Sequence, residues 1–212
     1  MPITDPTVDA FLTATAPRRH AVIEEMEAHG AAHRFPLVGP AVGSLLEVLA
    51  RGIRAKTVFE MGSGFGYSAA WWLRALPADG TVILTDGDPD NAARGTAYLD
   101  RLGHRGRFRY VVGDALQALD REAGPFDVVF CDIEKADYPR VVVPAVRKLR
   151  EGGLLVTDNA IWGGRVADPA AVDPETSGVR EYLRLVREHP QLATTVLPLR
   201  DGVAVSVKRG GA

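Results

Sequence analysis

Apolar positions change their spacing along the chain. Near the start they recur three or four apart, as Val8, Phe11 and Leu12 do, which is the period of a helix face. Beyond residue 56, short continuous apolar runs alternate with helical stretches. The pattern predicts helices over 8–16, 19–32 and 43–50, the last with Leu45, Leu46 and Leu49 on one face. Strand–helix pairs then follow at 57–61 and 67–76, 81–85 and 91–102, 107–112 and 115–121, and 127–131 and 138–149. A fifth strand is expected at 154–157, a loop rich in Gly, Asp and Pro over 163–174, and a helix around 178–188. Two closing strands, 194–199 and 203–207, would be joined at Asp201-Gly202 as a hairpin turn. Five βα units and a terminal antiparallel pair predict an α/β fold, a doubly wound, mostly parallel sheet of seven strands.

The turn after the first predicted strand carries the densest chemistry. Thr57-Val58-Phe59-Glu60-Met61 breaks into Gly62-Ser63-Gly64-Phe65-Gly66-Tyr67-Ser68 before helical pattern resumes. Glycines at alternate positions permit positive φ and leave no Cβ in a ligand's way. The helix behind them offers unpaired N–H groups. The spacing is G-x-G-x-G, one residue short of the dinucleotide fingerprint. Glu60 at the strand end would repel a pyrophosphate but favour an amine or a ribose hydroxyl. A nucleoside carrying an amino-acid tail therefore suits the turn better than NAD. Glycine-rich βα turns also occur with no ligand at all.

In doubly wound sheets ligands gather beyond the carboxyl ends of the strands. Each expected strand here ends in acidic or amide groups: Glu60, Asp86, Asp114, Asp132, and Asp158 with Asn159. Turns favour Asp and Asn on their own account, but five consecutive loaded strand ends point to a site. Asp86 lies where a carboxylate accepts ribose hydroxyls, and Asp114-Ala115 where a purine edge would sit. Asp132, Asp158 and Asn159 would supply three oxygen ligands, a set suited to a hard cation such as Mg²⁺ with positions left for water and substrate. The alternative is that Asp158-Asn159 merely caps a turn.

These residues together resemble the cation-dependent, S-adenosylmethionine-dependent O-methyltransferases, the group that includes catechol and caffeoyl-CoA O-methyltransferases. The motifs are residues 59–68, Asp86-Gly87-Asp88-Pro89-Asp90, Val112-Gly113-Asp114-Ala115, residues 126–135 with Tyr138, residues 152–159 with Trp162 and Gly163, and Asp201-Gly202. The resemblance implies a Rossmann-like class I methyltransferase of one domain over 1–212, with a helical cap at 1–35 and the cofactor-binding and catalytic core at 36–212. It implies that Glu60, Gly62, Ser63, Gly64, Gly66 and Ser68 hold the amino-acid end of S-adenosylmethionine, with Asp86 on the ribose and Asp114-Ala115 on the adenine. Val38-Gly39 resembles the segment that closes over this cofactor, and Asp132 is expected to border it. Asp132, Asp158 and Asn159 correspond to the ligands of Mg²⁺ or another divalent cation such as Mn²⁺ or Ca²⁺, and Lys135 to the proposed general base. Ile133-Glu134 departs from the Ala-Asp that many members carry, which alters shape and charge beside the metal.

Composition changes little in this picture. At 46% hydrophobic and 25% charged residues with a net charge of −2, nothing draws the chain to nucleic acid or membrane in bulk. No apolar run approaches the roughly 20 residues that span a bilayer. The single cysteine, Cys131, and the absence of a signal-peptide pattern suggest a cytoplasmic protein. The expected acceptor is a small hydroxylated molecule. A tRNA hydroxyuridine is the alternative, with Arg18, Arg19, Arg51, Arg54 and the 105–109 cluster as a local basic patch. A non-catalytic S-adenosylmethionine-binding protein is a third reading. Val8, Phe11, Leu12, Val22, Ile23 and Met26 suggest that the first helices cover the site and contribute to a homodimer. His29 and His33, i and i+4, have metal-compatible spacing but no third ligand nearby. Trp71 and Trp72 read as core, and Trp162 as lining for an acceptor pocket.

Overall fold

Seven strands build one sheet: β1 (Thr57–Met61), β2 (Thr81–Asp86), β3 (Phe108–Val112), β4 (Phe126–Cys131), β5 (Leu149–Thr157), β6 (Leu192–Leu197) and β7 (Val203–Lys208). The computed structural model describes residues 5–210. The strand order is β3-β2-β1-β4-β5-β7-β6. Neighbours from β3 across to β5 run parallel, and β7 runs antiparallel to both β5 and β6. The chain winds outward one way from β1 through β2 to β3 and the other way from β4, so the crevice between β1 and β4 is the topological switch point.

Eight helices complete the fold: α1 (Pro6–Thr15), α2 (Ala21–His33), α3 (Gly39–Gly52), α4 (Tyr67–Ala75), α5 (Pro89–Arg101), α6 (Ala115–Arg121), α7 (Tyr138–Lys148) and α8 (Pro174–Glu188). Successive strand residues point to opposite faces. Val58, Val128, Phe130, Leu154 and Val156 accordingly meet α2 to α5, with Leu46, Trp71, Trp72 and Leu99. Phe59, Met61, Val129, Cys131 and Leu155 meet α6 to α8, with Leu119, Val141 and Tyr182. Central strands buried on both faces read as unbroken apolar runs, and that is why β1 and β4 were visible in the sequence. Val22, Ile23 and Met26 belong to the first of these cores rather than to an open surface, while Phe11 stays 66% exposed on α1. Among the described residues no helix is long and apolar enough to cross a membrane.

Several boundaries differ from the expectation, among them β6, expected at 194–199 and found at Leu192–Leu197. Helix α3 starts at Gly39, with Pro40 in its first turn, where a missing N–H costs nothing. Strand β5 starts at Leu149 and runs through Gly152-Gly153, where its register against β4 shifts. Helix α8 starts at Pro174 because Asp173 caps it, accepting from Thr176 N. The β6–β7 connection is a five-residue loop, 198–202, with Arg200 and Gly202 both at positive φ, instead of a two-residue turn.

One carboxylate ties the start of the sheet together. Asp127 Oδ2 accepts from Lys56 N (2.7 Å), Thr57 N (2.8 Å) and Thr57 Oγ1 (3.0 Å), while Arg150 Nε donates to Oδ1. Burial works to raise its pKa, but the Arg150 hydrogen bond and those from Lys56 and Thr57 together hold it below the usual carboxylate range. Asp127→Asn should cost roughly 1–3 kcal/mol of stability, read from urea unfolding at neutral pH. Because the folded-state pKa is depressed, that contribution is present above the unfolded pKa and is lost as pH falls through the folded one. The gap between wild type and variant should therefore close in acid.

Candidate active site

All three glycines of the turn after β1 take positive φ: 78° at Gly62, 48° at Gly64 and 82° at Gly66. At Gly62 the requirement is steric as well, since a Cβ would lie 2.1 Å from the Asp132 carbonyl oxygen. This contact lets the ends of β1 and β4 lie side by side. A Cβ on Gly66, which caps α4, would meet Tyr110 Oη at 2.9 Å, so this glycine serves packing behind the turn. The turn is further held by Ser63 N to Thr85 O (2.8 Å) and by Tyr110 Oη, which donates to Gly64 O (3.2 Å).

Glu60 lies directly beneath, fully buried. Ser68 Oγ donates to its Oε1 at 2.7 Å, whereas Oε2 is buried without a hydrogen-bond partner. Burial pushes the carboxyl up to about 8; the Ser68 and Ser63 hydroxyls pull it down and the Asp132 charge adds to the rise. An unpaired buried carboxylate oxygen is costly, so this arrangement suits a cationic or donor group arriving from the cleft above.

That cleft, about 690 Å³, is lined by Val38, Gly62, Ser63, Gly64, Ser68, Asp86, Asp114, Ala115, Asp132, Lys135, Asp158 and Asn159. These twelve residues, singled out from the sequence, share one cavity with Trp162, expected to line an acceptor pocket; Glu60 sits under its wall and Gly66 is not among its lining residues. Asp86 is already engaged: Gly64 N bonds Oδ2 (2.8 Å), while Asp88 N (2.9 Å) and Asn91 Nδ2 (3.1 Å) bond Oδ1. Its carboxylate braces the glycine turn whatever else it binds. Asp114 caps α6, accepting from Gln117 N at 2.7 Å. Val38 is buried at the start of α3, in the segment that roofs the cleft.

At the other end of the cleft, Asp132 and Asp158 follow neighbouring strands paired at Cys131 and Thr157. Lys135 Nζ donates to Asp132 Oδ1 (3.0 Å) and Ile133 O (3.2 Å) and lies over the rings of Tyr138 (5.5 Å) and Trp162 (5.6 Å). The Lys135 turn is fixed from behind by α8, where a Cβ on Gly178 would lie 2.3 Å from Lys135 O. Asp158 is 5% exposed and its backbone carbonyl accepts from Tyr138 Oη at 3.0 Å. Burial first, then the Asp132 charge, raises its pKa well above the carboxylate range. A dication would relieve both causes. Asn159, at φ 54°, donates through Nδ2 to Asp201 Oδ2 (3.3 Å), which turns its carbonyl oxygen free as a third oxygen donor. The described residues form no cluster of three His, Cys, Asp or Glu; the two carboxylates and the amide are oxygen donors of the kind a hard cation takes.

Other expectations resolve simply. His29 and His33 stack at 4.1 Å between centroids, and His29 meets Phe65 edge-on, a packing role. Burial raises Cys131 to about 12, leaving an inert thiol. Tyr110, Thr85 and Arg200 were not legible as site residues. Their contacts with the turn and its roof run between distant segments, and no local motif marks them.

Gly62→Ala should lower stability by roughly 1–3 kcal/mol from strain at positive φ, with further loss from the clash at Asp132 O. Gly87→Ala is the control, because a Cβ there meets nothing within 4 Å. Equal urea midpoints for the two variants would show that Gly62 is not sterically required.

The O-methyltransferase family profile matches residues 13–209. Over 173 residues, 81% of this chain and 79% of the other, the sequence is 41% identical to a protein of Mycobacterium sp. (strain JLS) named provisionally as an O-methyltransferase. Among solved structures, cofactor-bound Rv0187 from MTB is 32% identical with a TM-score of 0.88, covering 98% of this chain and 99% of that one. The O-methyltransferase TomG of Streptomyces achromogenes, involved in tomaymycin synthesis and solved with SAM, is 27% identical with a TM-score of 0.87 over 96% of both chains. With its sheet order, its glycine turn and a profile match along nearly its whole length, the chain belongs to the O-methyltransferase family.

Proposed function

We propose that this chain transfers a methyl group from S-adenosylmethionine to a hydroxyl oxygen of a small catechol-like or other vicinal-oxygen acceptor. The observation that carries the reading is the buried Glu60 carboxyl with one unpaired oxygen, set under the wall of the cleft that the glycine turn, Asp132, Lys135, Asp158 and Asn159 line. The donor's ammonium group would be received at Glu60 and Ser68, its ribose at Asp86 and its adenine beside Asp114 and Ala115. TomG, solved with SAM, supports that donor by family likeness.

The reaction breaks the bond from sulfonium sulfur to methyl carbon and forms a bond from that carbon to the acceptor oxygen. Sulfur keeps the electron pair, and the hydroxyl proton must leave. Asp132, Asp158 and Asn159 would hold a divalent cation such as Mg²⁺, which when bound lowers the pKa of a coordinated hydroxyl from about 10 for a phenol. Lys135 would take the proton as a neutral amine, after giving up its own proton and the ion pair with Asp132 seen here. The cleft orients donor and acceptor for in-line transfer, and Val38 closes its roof.

Ion pairing disfavours the tRNA alternative. Arg51 pairs with Glu47, Arg105 with Asp100, Arg109 with Glu122 and Arg19 with Glu27, so most of the arginines considered for a basic patch are neutralised. A homodimer would have to use surface such as Phe11 and Val8, since Val22, Ile23 and Met26 are consumed internally.

Two predictions follow the donor and the metal separately. Near pH 7 the Glu60 carboxyl, with its pKa near 8, still holds its proton, so seating an ammonium group beside it should expel that proton. Calorimetry of S-adenosylmethionine binding in buffers of different ionisation enthalpy should show the release, with affinity rising as pH approaches 8. Glu60→Gln should abolish it and weaken binding by roughly tenfold or more. Buffer-independent enthalpies in the wild type would remove Glu60 from the amine site.

For the metal, excess chelator should stop turnover, and Asp158→Ala should bind S-adenosylmethionine normally yet transfer no methyl group. Lys135→Ala should keep metal binding and lose rate most at low pH, recovering in part as pH rises. Full activity in chelator would exclude metal assistance.

A further inference from the structure

A second cleft, about 1000 Å³, opens from the first at Val38, Asp158 and Asn159 and runs out between α1, α2 and the β6–β7 loop. Its wall near the junction is apolar, formed by Phe35, Pro36, Leu37 and Pro40, and its outer part carries Arg19, Arg34 and Arg200. Most of its acidic groups already have partners. Glu27 takes Arg19 at 3.0 Å and the Tyr67 hydroxyl at 2.7 Å. Asp201 takes Asn159 Nδ2 and Gly163 N. Asp158 belongs to the candidate cation set, which leaves Asp9 as the unassigned carboxylate.

Arg34 and Arg200 are in a different condition. No ion pair or side-chain hydrogen bond of Arg34 occurs among the described residues, although it stands at the end of α2 beside the cleft. Arg200 uses one N–H, from Nη1 to Leu37 O at 2.7 Å, and keeps its other donors. That single bond fixes the guanidinium against the cleft roof over Gly39, where a Cβ would lie 2.2 Å from Nη1. Arg200 sits at positive φ, 51°, in the β6–β7 loop, while Arg34, at 54°, is the left-handed C-cap of α2. Arg200 lines the same cleft as Asp158. An acceptor reaching from Asp158 and Asn159 into this cleft therefore passes an apolar wall and two exposed arginines, Arg34 and Arg200, that keep spare donors.

We propose that Arg34 and Arg200 select an acceptor carrying a carboxylate, so that the substrate class is a hydroxylated aromatic acid. This rests on the O-methyltransferase reading of the neighbouring cleft. The hydroxyls lie at the Asp158–Asn159 end, the ring lies along Phe35 to Leu37, and the carboxylate meets the guanidinium donors, which match it in charge and geometry.

The test is calorimetry on the full chain with S-adenosylhomocysteine and Mg²⁺ present, comparing dihydroxybenzoate having adjacent hydroxyls with uncharged methylcatechol. The wild type should bind the acid roughly tenfold more tightly than the neutral ring. Arg34→Gln and Arg200→Gln should each lower that ratio and the double variant should bring it close to one, while Arg34→Lys retains part of it. Because Arg200 also ties down Leu37, the Arg34 variants carry the decision if Arg200→Gln melts early. Equal affinity of the wild type for acid and neutral ring, or an unchanged ratio in Arg34→Gln and the double variant, overturns the assignment.

Mass spectrometry of the products separates this proposal from the reading beneath it. Methylation of both catechols with equal KM leaves the methyltransferase reading standing and removes the carboxylate preference. Tight, arginine-dependent binding of the acid without methylated product keeps the arginine site and removes the catechol acceptor. Methylation of tRNA with both phenols ignored removes both.

Discussion

The cleft depends on one close approach. Strands β1 and β4 are parallel neighbours at the switch point of the sheet, and both chains must leave it on the same side. Only a residue without a side chain can pass the Asp132 carbonyl at Gly62. Everything placed on either strand end, from Glu60 and the glycine turn to Asp132 and Lys135, inherits its position from that contact. Because Glu60 and the glycine turn follow one strand and Asp132 and Lys135 the next, the sheet itself brings the two groups of residues into one place, without a flexible connection.

The same constraint accounts for the site's electrostatics. Glu60 and Asp158 are carboxylates that the fold forces into dry positions, each raised by burial first and by the Asp132 charge as a further cause. Lys135 partly offsets the excess by pairing with Asp132. Such an arrangement is poor for stability in the empty protein and good for ligand binding, since any cation that enters recovers the unfavourable charge burial. Asp127 shows the contrast. It is ringed by four donors at the opposite end of β4, where it serves the sheet alone.

The alternation of strands and helices, and most of the residues that line the inner cleft, were legible because their signals are local. Apolar runs marked the strands buried on both faces, and acidic or amide residues at successive strand ends marked the cleft. What sequence reading missed is non-local or finely geometric. Tyr110 braces Gly64 across 46 residues, and Arg200 reaches Leu37 across 163. The early start of β5 runs through two glycines, which propensity argues against, and it is established by the pairing of Leu149 with Phe126 of β4. The β6–β7 loop looked like a two-residue Asp-Gly turn, but its hydrogen bond from Gly202 N to Leu199 O and the left-handed Arg200 make it wider.

That wider loop is more than a boundary error. Five non-glycine residues among those described have positive φ: Arg34, Arg54, Asn159, Trp162 and Arg200. All but Arg54 line one of the two joined clefts. Strain of this kind persists only where surrounding contacts hold it, and here the holders are identifiable. Asp201 fixes Asn159 through its amide, and Leu37 fixes Arg200 through its carbonyl. A two-residue turn would have shortened the loop and drawn position 200 away from the roof. The longer loop projects a cation over the acceptor side while Asp201, next in sequence, orients the amide at the Asp158 end. One loop thus joins the outer cleft to the inner one, since Arg200 holds the Leu37 carbonyl and the adjacent Asp201 holds the Asn159 amide.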